Sequence, residues 1–204
     1  MTDRPVPQQR LATDLASLAD SLPRPEVVAT WFAAFWEVLG ERWPHVDALR
    51  MDKFLLLVRR VFTAQLRYAE PGTKSGEDVI KTFAEWPFEE AGDLRRVPLG
   101  IRLHVLDLWV DELERAGFLY DEEEEEGQKT TKKDGKEDAA EGQLVRRMGD
   151  LVQALIHCPV KAVRERARDT YDDERLPWVE KKEESSGDED EDMKDDDEWG
   201  GFDD

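Results

Sequence analysis

The sequence predicts an all-α protein built from antiparallel helical hairpins, arranged as a short α-solenoid of the HEAT or armadillo type. Apolar residues recur with the helical period, and no segment shows the alternation typical of a half-buried strand. Pro and Gly mark brief turns between the apolar stretches, and several stretches are apolar on two sides. Stacked hairpins cover such helices better than a closed four-helix bundle does, although no exact repeat of fixed period is present.

Leucine spacing and proline positions predict the first three helices. Four leucines over residues 7–22 lie four, three and four residues apart and therefore share one helical face: Leu11, Leu15, Leu18 and Leu22. Pro25 opens an aromatic-rich second helix, which Gly40 is predicted to end. Pro44 opens the third helix, which runs to the turn at Pro71.

Four further helices follow in the same way. A short helix over residues 78–86 precedes the one that Pro98 opens and Gly117 ends. The apolar residues of that longer helix fall on two sides, so it has to be covered twice. Helix resumes at Leu144, breaks at Pro159 and continues as a basic segment.

The acidity of the chain is concentrated in two segments. The formal net charge is -20, of which residues 121–142 carry -6 and residues 180–204 carry -11. Neither segment has enough apolar residues to offset the entropy of ordering, so we expect a disordered charged insert and a disordered acidic tail. Residues 1–120 then form the helical domain, and residues 143–179 form C-terminal helices that pack on the same domain.

Composition also limits the cellular compartment. The single cysteine, Cys158, excludes an internal disulfide framework and favours a reducing compartment. No apolar run is long enough to span a bilayer, and the N-terminal segment lacks the apolar core of a secretory signal. The sequence therefore predicts a soluble intracellular protein with no membrane partner.

The third helix carries a candidate interaction ridge. Lys53, Arg60 and Arg67 recur every seven residues and stack opposite a wide apolar arc, with Arg59 beside them. Leucines flank this row of cations. Two interpretations are open: a solvated face whose aliphatic stems cover apolar surface, or a ridge that binds an acidic protein surface or RNA phosphate.

A second basic patch is predicted in the last helix. Lys161, Arg164 and Arg168 lie three and four residues apart and allow the same two interpretations. Masking by the acidic tail is a third. Within that tail, Trp199 and Phe202 form an aromatic pair among acids, a composition typical of a short docking motif.

No pattern in the chain indicates catalysis. His45, His104 and His157 are scattered, and Cys158 has no companion at a zinc-binding spacing. A Gly-rich phosphate loop, a nucleophile elbow and an HExxH motif are absent from the sequence. We therefore expect a protein that is not an enzyme, with no cofactor, no metal and no small-molecule substrate.

Several ordered motifs resemble the eukaryotic nucleolar ribosomal RNA-processing protein 1 family. Three successive segments up to about Gly117 carry the resemblance: RPVPQQRLATDLASL, WFAAFWEVLGERWPHVDALRMDKFLLLVRRVF and VPLGIRLHVLDLWVDEL. The most specific run contains Trp36, Glu37, Trp43, Asp47, Leu49, Arg50, Asp52, Lys53, Phe54, Arg59 and Arg60. A second run contains Gly100, Leu103, His104, Asp107, Trp109, Glu112 and Leu113.

This resemblance implies a non-enzymatic assembly factor in the nucleolus, within the nucleus. Its partners would be other large-subunit ribosome assembly factors on preribosomal particles, where it is needed for ribosomal RNA processing. Family members usually have further helices upstream and a long basic C-terminal extension, whereas this chain ends in acids. The acidic end makes contact with preribosomal RNA indirect or weak. The alternative is an acidic escort for basic proteins, such as ribosomal proteins or histones, acting through Asp188 to Glu198.

We predict phosphorylation of the tail at Ser185 and Ser186. Each serine has an acid three residues downstream, Asp188 and Glu189, which an acid-directed kinase requires. Intact-mass analysis of the protein from its native cell should show added phosphate. Protein that carries no phosphate on this tail would contradict the prediction.

Overall fold

Seven α-helices, with no strand, make up the part of the chain that the structure describes. This computed structural model describes residues 5–119 and 135–180, with side chains over 6–119 and 142–180. The helices are α1 (Pro5–Ala16), α2 (Val28–Arg42), α3 (Ala48–Tyr68), α4 (Lys74–Glu85), α5 (Leu99–Arg115), α6 (Gly135–Leu155) and α7 (Lys161–Tyr171). The all-α prediction is confirmed.

The helices form two layers, as a solenoid of helical hairpins requires. In one layer α1 packs on α3, α3 on α5, and α5 on α7. In the other layer α2 packs on α4, and Arg147 of α6 reaches Glu77 of α4 at 3.0 Å. Each helix thus contacts the helix two positions along the chain, which confirms the predicted α-solenoid arrangement.

Capping residues explain three of the helix boundaries. Asp47 caps α3 by accepting a hydrogen bond from the Arg50 amide at 3.0 Å, and Thr73 caps α4 through the Gly76 amide at 3.1 Å. Gly117 has φ +80° just beyond α5, a conformation that glycine adopts without strain. Polar side chains therefore begin these helices and a glycine turn ends α5.

Several predicted boundaries are wrong. Pro25 and Pro44 do not open α2 and α3 themselves, because each lies in a short 3-10 turn before the helix, Pro25–Val27 and Trp43–His45. The fourth helix begins at Lys74, not at residue 78. The second helix does not end at Gly40, because α2 continues to Arg42. Gly40 is required for another reason: a Cβ there would lie 2.4 Å from the carbonyl oxygen of Arg96. The sixth helix begins at Gly135, inside the predicted insert 121–142, because the residues after Gly135 include good helix formers. The rest of that insert and the tail beyond Glu180 lie outside the described residues.

One apolar core runs through the helices. Phe62, Phe83 and Phe88 meet edge to face or tilted, with ring centroids 5.1 to 6.2 Å apart. Trp36 and Trp109 are buried, and the Trp36 indole donates a 2.8 Å hydrogen bond to the Gln65 side chain. Burying that donor with its acceptor avoids the desolvation penalty of an unpaired polar group.

Buried or half-buried arginines fix the connections between helices. The guanidinium of Arg102 is fully buried and binds the Glu89 carboxylate and the carbonyl oxygens of Glu89 and Val97, which holds the loop between α4 and α5. Arg175 lies 3.1 Å from Asp111 and 2.7 Å from Glu114 of α5. The turn after α7 is thereby bound to α5.

Trp178, in that turn, covers α6. Its indole donates a 3.0 Å hydrogen bond to the carbonyl of Tyr171, and its ring stacks on Tyr171 at 5.0 Å. A Cβ on Gly149 would lie 2.3 Å from this ring. The close approach explains why a glycine lies in the interior of a helix.

None of the described helices combines the length and the apolar character that a membrane-spanning helix needs.

Two glycines of α6 test this packing. Gly149→Ala forces the Trp178 ring out of its place, so we expect the free energy of unfolding to fall by about 1–3 kcal/mol. Gly142→Ala is the matched control, because no atom lies within 4 Å of its Cβ position. It should raise the free energy of unfolding by about 0.5–1 kcal/mol through helix propensity. Urea unfolding followed by circular dichroism measures both, and equal effects would contradict the packing described here.

Candidate interaction surface

The candidate surface lies on α3, which packs against four other helices. α3 contacts α1, α2, α4 and α5, and it buries Val58, Val61, Phe62, Ala64, Gln65 and Leu66. At its start, the Asp47 carboxylate accepts a 2.6 Å hydrogen bond from the Arg50 guanidinium, which holds the pKa of Asp47 below its usual value. Packing on several sides leaves only a narrow part of α3 exposed.

The structure separates the four predicted ridge residues. Arg60 and Arg67 are exposed, two turns apart, and Lys53 is half-buried on the same strip. Leu49, at the start of the strip, is 91% exposed. Arg59 does not lie with them, because a step of one residue turns its side chain by about 100° toward α5. We call Lys53, Arg60 and Arg67 the basic strip.

Arg59 belongs to a polar contact between α3 and α5. Its Nε donates a 2.5 Å hydrogen bond to Glu112, whose side chain is 4% exposed. The Thr63 hydroxyl lies 2.5 Å from the other oxygen of Glu112, and Arg115 lies 3.0 Å from the first. One buried carboxylate is therefore held by two arginines and a hydroxyl, which fixes α3 against α5.

The second predicted patch is also divided by its contacts. Lys161 is exposed and lies 3.5 Å from Glu165. Arg164 is half-buried and donates hydrogen bonds to the carbonyl oxygens of Cys158 (2.7 Å) and Pro159 (3.2 Å), so it closes the turn between α6 and α7. Arg168 is exposed. Lys161 and Arg168 thus face solvent, whereas Arg164 stabilises the connection.

Two polar groups that could have formed part of a reactive centre, His104 and Tyr68, have structural partners. His104 lies 3.0 Å from the carbonyl oxygen of Leu55, and burial lowers its pKa. Burial and a hydrogen bond to Asp20 raise the pKa of Tyr68 to about 12. Tyr68 lines a cavity of about 200 Å³ together with Arg67 and Thr73, smaller than the ~300–1,000 Å³ of ordinary ligand pockets. Within residues 6–119 and 142–180, no group of three His, Cys, Asp or Glu side chains could hold a metal ion.

Two features of this surface were not predicted from the sequence. The first is the Arg59 contact with Glu112, which lies 53 residues away and has no local signal. The second is on α1 and the 3-10 turn that follows it, Ser17–Ser21, where the alanines Ala12, Ala16 and Ala19 are buried and three of the predicted leucines are exposed. The three, Leu11, Leu15 and Leu18, are called the leucine strip below. The helical spacing of these leucines was a usable signal for the strip, but not for the direction in which it points.

Comparison with known proteins relates the chain to nucleolar proteins. The protein-family model described as "Nucleolar protein, Nop52" matches residues 1–202. Mouse ribosomal RNA processing protein 1 homolog A is 26% identical over 117 residues, which cover 57% of this chain and 24% of the mouse protein. Human ribosomal RNA processing protein 1 homolog B is 28% identical over 118 residues, 56% of this chain and 15% of the human protein.

A nematode relative shows a similar coverage. The ribosomal RNA processing protein 1 homolog of Caenorhabditis elegans is 30% identical over 122 residues, 58% of this chain and 30% of that protein. The matched part of the chain thus spans between 15% and 30% of the length of these three curated relatives.

Neighbouring arginines of α3 test the division between structural and exposed cations. Arg59→Ala leaves the buried Glu112 carboxylate without its closest cation, so we expect the free energy of unfolding to fall by about 3 kcal/mol. Arg60→Ala removes the same charge at the next position and should change it by less than about 0.5 kcal/mol. Urea denaturation of the two variants provides the measurement. Similar losses from both would contradict the assignment.

Proposed function

The chain belongs to the family of the nucleolar protein Nop52, and on that premise we propose that it is a non-enzymatic nucleolar assembly factor. Its helical body holds other assembly factors on precursors of the large ribosomal subunit, and this positioning supports processing of the ribosomal RNA. The names of its relatives, ribosomal RNA processing protein 1 homologs, support the process that we assign. The binding of partners by the body is our inference from its surface.

The exposed cations on a rigidly packed helix carry this proposal. Arg60 and Arg67 extend from α3, which neighbouring helices hold on several sides. A partner that binds them therefore does not have to order the backbone beneath them, and this lowers the entropic penalty of association. Leu49 offers apolar contact at one end of the strip. An acidic protein surface with an apolar patch complements such a strip.

Charge favours a protein partner over RNA. The chain carries a formal net charge of -20, which opposes nonspecific attraction to a phosphate backbone. High-affinity RNA binders gain from the release of many counterions, and this needs several phosphate contacts. The basic strip offers few cations for such phosphate contacts. We therefore assign to it at most a local contact with preribosomal RNA. The proposal involves no membrane and no small-molecule substrate.

Charge reversal on the basic strip tests the scaffold function. The double variant Arg60→Glu with Arg67→Glu should reduce co-purifying large-subunit assembly factors about tenfold, corresponding to roughly 1.4 kcal/mol of binding free energy. Quantitative mass spectrometry of tagged protein from nucleolar extract measures the loss. The control variant, Lys161→Glu with Arg168→Glu, changes net charge equally on exposed positions of α7. An unchanged set of partners, or an equal loss in the control, would contradict the proposal.

Removal of residues 180–204 separates the scaffold function from an acidic escort function. That segment carries a net charge of -11. If the body binds the preribosome, the shortened protein should still sediment with large-subunit precursors in a sucrose gradient. Loss of sedimentation together with loss of bound basic proteins would favour the escort instead.

A further inference from the structure

The leucine strip, on α1 and the 3-10 turn after it, is an apolar surface that the described part of the chain leaves partly exposed. The exposed fractions are 57% for Leu11, 37% for Leu15 and 47% for Leu18. The alanines of the same segment face inward, so α1 approaches α3 closely through small side chains and leaves its larger ones outside. Three neighbouring exposed leucines differ from the single apolar residues that scatter over most protein surfaces.

The opposite end of the same helical layer is polar. There α7 exposes charged residues, among them Lys161, Glu165, Arg168 and Asp169. Exposed apolar residues that lie together favour association with another surface. The leucine strip thus contrasts with the charged outer side of α7 in the same layer.

The leucine strip is too small to be the interface with a second copy of the chain. A stable interface buries about 800 Å² on each partner, and three partly exposed leucines provide far less. A segment tethered to the same molecule needs much less area, because tethering provides an effective concentration in the millimolar range. The small strip thus suits an intramolecular occupant.

The C-terminal segment has the composition that this surface requires. Trp199 and Phe202 are aromatic residues flanked by acids, in a segment of net charge -11. The leucine strip would receive the aromatic rings. The acids would face Arg10, which is exposed on α1, and Arg60 and Arg67 of the adjacent α3. Apolar contact and charge complementarity therefore point to the same pair of helices.

The segment is also long enough to reach α1. Trp199 follows Glu180 by 19 residues, which span up to about 60 Å when extended. The path from α7 to α1 crosses α5 and α3, and neighbouring helices lie roughly 8–10 Å apart, about 30 Å in total. The tether is thus about twice the required distance.

We propose that residues 188–204 dock on the surface formed by the leucine strip of α1 and the basic strip of α3, with Trp199 and Phe202 on the leucines. The docked segment covers the surface that the proposed function assigns to partners, so a partner has to displace it. This inference depends on the proposed function only for the identity of the partner that competes with the docked segment. Docking itself is measured in the purified chain alone and can fail independently.

Paramagnetic relaxation in the full-length protein tests the docking. A nitroxide label is attached at Asp203→Cys; the native Cys158 is 1% exposed and does not compete for it. We expect the amide signals of residues 10–20 to lose at least half of their intensity relative to the reduced label. The signals should recover in Trp199→Ala with Phe202→Ala, which removes both aromatic rings. They should also recover in Leu11→Ser with Leu15→Ser, which alters exposed positions only.

Three results would overturn the docking. Broadening confined to residues 161–168 would place the acidic tail on the basic patch of α7. Broadening in a mixture of labelled and isotope-enriched but unlabelled chains would show a second copy as the occupant. Broadening that survives in both double variants, or no broadening of α1, would exclude the aromatic contact with the leucines.

Discussion

The body of this protein depends on the way in which α3 is covered. A helix that packs against four others has to bury its apolar residues and also pair most of the polar groups that packing carries inward. The contact of Arg59 and Thr63 with Glu112 does this between α3 and α5, and Gln65 does it beside Trp36. Removing one member of such a buried group leaves the other unpaired, which costs more than the pair contributes.

The same constraint divides the cations of the chain into two classes. Arg59, Arg102, Arg164 and Arg175 hold helices and loops together through carboxylates and carbonyl oxygens. Arg60 and Arg67 extend from the side of α3 that is not covered. Exposed charge on a helix that cannot move independently is well suited to recognition, because its geometry does not change when a partner arrives. The fold thus presents Arg60 and Arg67 on a helix that four other helices hold in place.

The sequence was sufficient for the fold class and for most elements, because those depend on local signals. Helical periodicity, the proline positions and the turn glycine at Gly117 are visible in the chain itself. Gly40 was wrongly predicted to end the second helix. A glycine is needed there because the Arg96 carbonyl lies close to it, a tertiary contact that the sequence does not reveal. Arg59 and Arg60 are indistinguishable by composition, and only a carboxylate 53 residues away from Arg59 separates them. On α1, hydrophobicity favours buried leucine, but close packing on α3 selects the alanines.

The most direct measurement of the central claim is arginine footprinting of the protein, free and within native large-subunit precursors. A reagent specific for guanidinium groups, read by mass spectrometry, reports the exposure of each arginine separately. We predict that, in protein lacking residues 180–204, Arg60 and Arg67 react in the free state and become protected in the particle, whereas Arg168 reacts equally in both states. Arg60 and Arg67 that remain equally reactive in the particle would contradict a binding role for the exposed side of α3.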